Sequence, residues 1–397
     1  MTLLREWDRT CTNCGGKRAR VFYNVPQVPV HCIALMRTRE MALNYPRGNL
    51  EIAYCGDCGF ISNLAFDPRL GEYPGEYEAA QGCSPILDAF QRRLARQLVE
   101  RYGLRNKDIL EIGCGRGEFL AMLCELGNNR GVGVDPGVVE ERMAKPARGT
   151  ATYLRGHYPA VGGDLVADFI CCTRTLERLP RPENLLSRIR EQAGEGRRAI
   201  AFFQAPNGAS MLRGLRFWDF CYEQCSYFSA ASLAGVLVRR RFAVLDAWTD
   251  FDDQWLMVAA QPARKGSVER GVRIGSVEET GADAAYFRLN HDEAIERWRQ
   301  LVRGSARERR RTVLWDAGAK AVGFLNALDI HSEIEYVVDV NPERQETYVP
   351  GTGQRIVKPE FLREYRPDLV IVMNPVYRDE VQGELSRLGL PPSVVTV

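Results

Sequence analysis

The stretch DILEIGCGRGEFLAMLCELG, from Asp108 to Gly127, constrains this chain more than any other. Ile109, Leu110 and Ile112 read as a short apolar strand. Gly113, Gly115 and Gly117 follow as a turn, and a helix opens at Glu118. A strand that passes through glycine backbone into a helix N-terminus brings bare amides close to a ligand. Further on, GVGVDPG supplies a second strand ending in Asp135, an acid able to reach the two hydroxyls of a ribose. The spacing is GxGxG, with Glu111 two residues before the first glycine; dinucleotide sites space their glycines GxGxxG.

The chain's 397 residues exceed one ordinary domain. A composition 45% hydrophobic and 26% charged suits a soluble protein with real cores. Net charge is +2, from 53 basic and 51 acidic residues, which argues against nucleic acid as the main partner. It leaves room for an anionic small molecule in a local pocket. No apolar run reaches the roughly 18 residues a membrane span needs, and Met1–Thr10 has no apolar signal core. The expectation is a cytoplasmic protein, its twelve cysteines reduced and serving as metal ligands, core residues or reactive thiols.

The flanking segments extend the central pattern. Leu87–Gly103 has helical spacing and ends at glycine. Asp168–Cys172 reads as a strand, with a helix from about Pro182. RRAIAFFQAPN reads as the next strand. FAVLDAW and QWLMVAAQP read as two more, joined by a turn over Thr249–Asp253. Cys114, Cys124, Cys171 and Cys172 fit small core positions. With Glu111 and Asp135, the glycine turn resembles motifs I and II of class I S-adenosylmethionine-dependent methyltransferases. That resemblance implies S-adenosyl-L-methionine as cofactor. Gly113, Gly115 and the backbone near Cys114 would hold its methionine end. Glu111 would order the turn, Asp135 hold the ribose, and Glu177 and Arg178 stand at the pocket rim. His157 would lie on the cofactor side or at the surface.

Two CxxC pairs, Cys11/Cys14 and Cys55/Cys58, are each followed by glycine. Doubled knuckles put four thiolates around a tetrahedral structural Zn2+, with amides in tight turns aimed at sulfur. Two unrelated redox or core pairs would not account for the doubled spacing. The segment between them, with Pro26, Pro29 and an amphipathic stretch near Met36–Asn44, reads as a small insert. His31 and Cys32 are not needed to complete such a site.

After a basic linker at Lys265–Gly275 comes a charged helix, roughly Asp283–Arg303. TVLWDAGAKAVGFLNAL is again strand, glycine turn, helix. IEYVVDVNP, DLVIVMNP and SVVTV add three strands. The whole chain resembles the sugar C-methyltransferases, which methylate nucleotide-linked keto-deoxysugars and carry a C-terminal WGAGAKG…VVDxNP…YVPGTG module. The matching residues run Leu314-Trp315-Asp316-Ala317-Gly318-Ala319-Lys320, Val338-Asp339-Val340-Asn341-Pro342 and Tyr348–Gly353. The expected fold is α/β: a class I methyltransferase Rossmann-like core over 76–264, flanked by a zinc-binding module over 1–75 and a smaller Rossmann-like domain over 265–397. Asp316 departs from the family's GAG. A carboxylate there would repel a pyrophosphate, so the third unit is expected to shape the cleft as a scaffold.

The family loop YHEHxSYFS aligns with Cys221–Ser229. Glu223 keeps its glutamate, Gln224 replaces the histidine read as general base, and Tyr222 replaces a second histidine. Arg178 replaces the histidine of LEH. Tyr77 aligns with a site-lining tyrosine. Carbon methylation beside a carbonyl requires a base near the working pH, and glutamine cannot serve. Glu223, raised by burial, and Tyr222, stabilised by Arg178, remain candidates. Tyr222, Glu223 and Gln224 are expected to face the acceptor, Gln224 as a positioning group. Tyr227 and Phe228 are read as helix-start packing, and Arg239–Arg241 as a solvated helix end. His291 and His331 are given no chemistry.

Three readings stay open: methyl transfer to a small-molecule acceptor with the base moved or unneeded; other S-adenosylmethionine chemistry, such as non-methylating transfer or cyclisation; and a binding scaffold without turnover. A conventional sugar C-methyltransferase with Glu223 as base is a variant of the first. The expected partner is a small molecule, nucleotide-linked or otherwise anionic, with no nucleic acid or membrane, on a monomer or weak homodimer.

Overall fold

The apolar runs read from the middle of the sequence line up as one seven-stranded sheet. Its order is Phe242–Asp250, Trp255–Pro262, Ile200–Pro206, Phe169–Thr173, Asp108–Ile112, Arg130–Asp135, Thr150–Arg155. Counted within the sheet, this is 6-7-5-4-1-2-3. Only Trp255–Pro262 runs antiparallel to its neighbours. The strand order reverses between Asp108–Ile112 and Phe169–Thr173, and the crevice beyond the carboxyl ends of such a pair is where open α/β sheets bind ligands. The structure, a computed structural model, describes residues 9–70, 84–193, 199–263 and 275–397.

Alternation along the central strands explains the two-sided core. Ile109, Phe169 and Cys171 pack under the helices Pro85–Tyr102 and Glu118–Gly127. Leu110, Ile170 and Cys172 face Pro182–Ala193 and Ala230–Arg239 instead. Cys171 and Cys172 are thus buried on opposite faces, as small core residues. Gly103, at φ 63°, ends the first helix in the left-handed conformation that glycine reaches without strain.

The N-terminal residues form a four-stranded antiparallel sheet: Ala19–Pro29, Arg47–Cys55, Ile61–Asn63 and, from far along the chain, Ser226–Tyr227. The last strand belongs to the CYEQCSYFS stretch. Tyr227 is therefore sheet pairing rather than helix-start packing; the helix is capped by Ser229, whose side chain accepts from the Ser232 amide.

The C-terminal residues form five parallel strands in the order Arg355–Val357, Tyr336–Val338, Thr312–Trp315, Leu369–Val372, Ser393–Thr396. The strand Arg355–Val357 was not foreseen from the sequence. The preceding helix spans Val277–Arg307, longer than expected, because Ser276 and Glu279 close a capping box at its start. Of the linker expected at Lys265–Gly275, all but Gly275 lies outside the described residues. One core joins this unit to the N-terminal sheet. Phe22 and Tyr23 meet Phe220 and Phe287, while Phe217 and Trp218 meet Phe324. Among the described residues, no helix is long and apolar enough to cross a membrane.

Candidate functional site

The glycine turn has the backbone its sequence implies. Gly113 and Gly115 have φ of 75° and 54°, and the Gly115 amide donates to Asp135 Oδ2 at 3.0 Å. A Cβ on Gly113 would come within 2.0 Å of Thr175 Oγ1, so the turn and the segment after Phe169–Thr173 are in close contact there. At Gly115 a Cβ would meet nothing within 4 Å, which leaves the backbone open to a ligand. Asp135 Oδ1 accepts from the Gly137 amide at 2.7 Å. Cys114 is buried with Val138 and Met143, as a packing residue should be.

Glu111 is buried under the turn, but its contact is lateral: Oε1 accepts from Thr173 on the adjacent strand at 3.0 Å. Its Oε2 has no hydrogen-bond partner among the described residues, and burial pushes its carboxyl up to about 8. Tyr77 lies outside the described residues.

Two cavities meet at residues 174–181. One, of about 630 Å³, opens on Gly113, Val134, Pro136 and His157, with Thr175 and Leu179 as its inner wall. The other, of about 330 Å³, takes Arg174, Glu177 and Arg178 from the same segment and is closed by the C-terminal unit. Loop residues divide likewise: Gln224 lines the second cavity and Cys225 the first. This places Glu177 and Arg178, expected at a pocket rim, in the lining of the second cavity. Glu177 is 3% exposed, and burial pushes its carboxyl up to about 7. Arg174, which the sequence analysis did not single out, sits at the strand's carboxyl end with φ 53°. A charged residue directly after the apolar run FICCT was the available signal.

The loop Cys221–Ser229 corrects two expectations. Tyr222 does not face either cavity. It is 1% exposed, packed on Phe66, and its hydroxyl accepts from the Asp67 amide at 2.8 Å. A Cβ on Gly48 would fall 2.1 Å from its ring, so that glycine seats the tyrosine in the core. Burial pushes its phenol up, away from the phenolate envisaged with Arg178. Tyr222→Phe is expected to cost about 1 kcal/mol of stability, read by thermal melts.

Glu223 also lines neither cavity. Its Oε1 accepts from the Cys32 amide, and its Oε2 pairs with Arg178 Nη1 at 2.7 Å, the glutamate side chain being 6% exposed. It ties the loop to the N-terminal sheet and to the cavity wall. Glu223→Ala, which strips both donors of that acceptor, is expected to cost about 2–3 kcal/mol, read as a shifted denaturant midpoint. Of the loop's three expected acceptor-facing residues, Gln224 alone reaches the cavity, and its Oε1 has no hydrogen-bond partner among the described residues.

The C-terminal unit lends the second cavity Asp316, Lys320, Asp339 and Arg344. Asp316 holds φ 87° and accepts from the Gly318 amide at 3.0 Å, so the glycine turn's own carboxylate occupies the amide a phosphate would seek. Desolvation and nearby Asp339 push the Asp316 carboxyl up. Lys320 pairs with Asp219.

At the far end of the N-terminal sheet, Cys11, Cys14, Cys55 and Cys58 bring their sulfurs within 4.8 Å of one another. Cys11–Cys58 and Cys14–Cys55 are 3.8 and 3.7 Å apart. Metal–sulfur bonds of about 2.3 Å in a tetrahedron give edges of roughly 3.8 Å. The amides of Asn13, Gly16 and Asp57 each reach a cysteine sulfur at 3.4 Å, the knuckle pattern expected from the glycines. The donor set therefore fits a four-sulfur metal centre.

A methyltransferase-domain family model matches residues 87–247, and a C-methyltransferase C-terminal-domain model matches residues 265–389. No curated protein matches the chain. Solved structures similar to part of it include 1,6-didemethyltoxoflavin-N1-methyltransferase of Burkholderia thailandensis, 17% identical over 44% of this chain and 79% of that one, TM-score 0.33. A methyltransferase of calicheamicin biosynthesis is 17% identical over 44% of this chain and 54% of that one, TM-score 0.36. Human N-acetylserotonin methyltransferase is 14% identical over 45% of this chain and 56% of that one, also at 0.36. Carrying a methyltransferase domain followed by a C-methyltransferase C-terminal domain, the chain is a methyltransferase.

Proposed function

We propose that this protein transfers a methyl group from S-adenosyl-L-methionine to a small-molecule acceptor, carbon being the favoured atom. The observation that carries the reading is the pair of cavities lined by different residues of the segment 174–181, one opening on the glycine turn and the other on Gln224 and the C-terminal unit. The bound cofactor supplies an electrophilic methyl on a sulfonium. Gly113, the Cys114 backbone and Gly115 would hold its methionine end, and Asp135 its ribose. His157 would stand at the adenine side. Gln224 and Arg178 would orient the acceptor, with Gln224 positioning rather than moving a proton. The C-terminal domain match supports carbon as the acceptor atom.

The molecule divides, in this reading, into a zinc module over 1–75, the methyltransferase core over 76–264 and a Rossmann-like cap over 265–397. Zinc on Cys11, Cys14, Cys55 and Cys58 is structural, because four thiolates leave no open position. The protein is related to the nucleotide-sugar C-methyltransferases but works without their histidine base. Asp316 argues that the acceptor's anionic part, where it has one, is not held by the turn at Gly318.

The test is mass spectrometry of candidate metabolites incubated with methyl-labelled cofactor. A labelled product with S-adenosylhomocysteine supports the reading. Release of methylthioadenosine would replace it with another transfer, and tight binding without any turnover would leave only a scaffold.

A further inference from the structure

Methyl transfer to carbon needs a group that takes the proton carbon gives up. Glu223 spends its oxygens on Cys32 and Arg178, and Tyr222 is locked against Asp67. Glu177 is placed differently. It lies on the wall between the cavities, lines the acceptor side, and has an Oε2 with no hydrogen-bond partner among the described residues. A buried carboxylate with an idle oxygen is costly unless that oxygen meets a ligand or carries a proton. Thr175 and Leu179, its neighbours along the wall, face the cavity of the glycine turn.

We propose that Glu177 is the proton acceptor of the transfer, and that it is ionised when the cofactor's sulfonium arrives. This rests on the methyl-transfer reading above. The acceptor's C–H bond breaks, its proton passes to Glu177, and its electron pair forms the new bond to the methyl carbon. The S–CH3 electron pair stays on sulfur, leaving S-adenosylhomocysteine, and Glu177 returns its proton to solvent. The step balances without a redox partner. Arg174, whose Nη1 also has no hydrogen-bond partner among the described residues, stands in the same cavity as a donor for a carbonyl oxygen gaining charge.

The groups that bear on Glu177 come from three elements. Arg174 and Arg178 lie on its own segment, and Cys172 on the strand before it. Cys225, on the loop, donates its thiol to the Glu177 carbonyl at 3.8 Å, and Glu223 on that loop holds Arg178. Glu111 and Glu118 act through Arg174. Burial outweighs the two arginines and pushes the Glu177 carboxyl up to about 7, so part of it keeps its proton near neutral pH. A fixed positive sulfonium beside it lowers its proton affinity, so binding releases protons. The release is large where the free carboxyl is protonated, toward pH 6, and vanishes where it is already ionised.

Calorimetry of the full chain with S-adenosylmethionine and with S-adenosylhomocysteine, in buffers of differing ionisation enthalpy, counts those protons. At pH 7 the sulfonium compound is expected to release more protons than the thioether. That excess grows toward pH 6, fades by about pH 8.5, and disappears in Glu177→Gln. Equal counts for the two ligands, or an excess that persists in Glu177→Gln, overturns the proposal. Should that variant not fold, the wild-type profile decides: an excess that is flat, or centred above pH 8, overturns it. Failure of the wild type to bind either ligand removes the methyl-transfer reading and this inference together, a result distinct from binding without the excess.

Discussion

Stripping metal from the four-cysteine site is expected to lower the melting temperature by about 10 °C or more and to loosen the acceptor loop along with the N-terminal sheet. A structural zinc contributes on the order of 10 kcal/mol to the fold that encloses it. In a chain of this size about 1 kcal/mol moves the midpoint by roughly 1 °C. Knuckle residues Cys55 and Cys58 lie immediately before Ile61–Asn63, and that strand pairs Ser226–Tyr227 of the loop. The Asn63 amide also donates to the Cys225 carbonyl at 3.0 Å. Calorimetric scans with and without a chelator, on protein whose zinc content has been measured, check this; so does Cys58→Ser. One zinc per chain is the expected stoichiometry, and faster amide exchange at Tyr227 in the stripped protein would show that the loss reaches the loop. A protein that binds no zinc, or melts unchanged without it, contradicts the assignment.

Asp135→Ala is expected to weaken S-adenosylhomocysteine binding by about thirtyfold or more, roughly 2 kcal/mol. Two losses combine. The ribose would forfeit charge-assisted hydrogen bonds, each worth about 1.5–3 kcal/mol. The Gly115 and Gly137 amides, which Asp135 now holds, would be left to water. Calorimetry reads the change directly. Asp135→Asn separates the contributions, because it keeps an acceptor for the amides while removing the charge. An affinity unchanged by alanine would mean that the ribose sits elsewhere.

Much of the sheet was legible because its signals are local. Apolar alternation, glycines at chain reversals and Gly103 at a helix end fix elements within a few residues of where they fall. The strand Arg355–Val357 escaped because three residues between Gly353 and Pro359 carry no periodicity. The start of the long helix was legible in Ser276-x-x-Glu279 and was passed over. Side-chain direction in the acceptor loop was a different matter. Tyr222 turns inward because Gly48, far away in sequence, leaves room for its ring, and Glu223 because the Cys32 amide calls for an acceptor. Both are pairings between distant segments, which motif alignment cannot orient. Glu177 was named from its motif, but which cavity it lines is set by one 3-10 turn that no motif orients.

The clearance of 2.0 Å that a Cβ on Gly113 would have from the Thr175 hydroxyl has a mechanical consequence. The glycine turn and the partition touch there without an intervening part. Alanine at Gly113 would press its methyl into the Thr175 side chain, at a φ of 75° that side chains rarely adopt, and the partition would have to move to admit it.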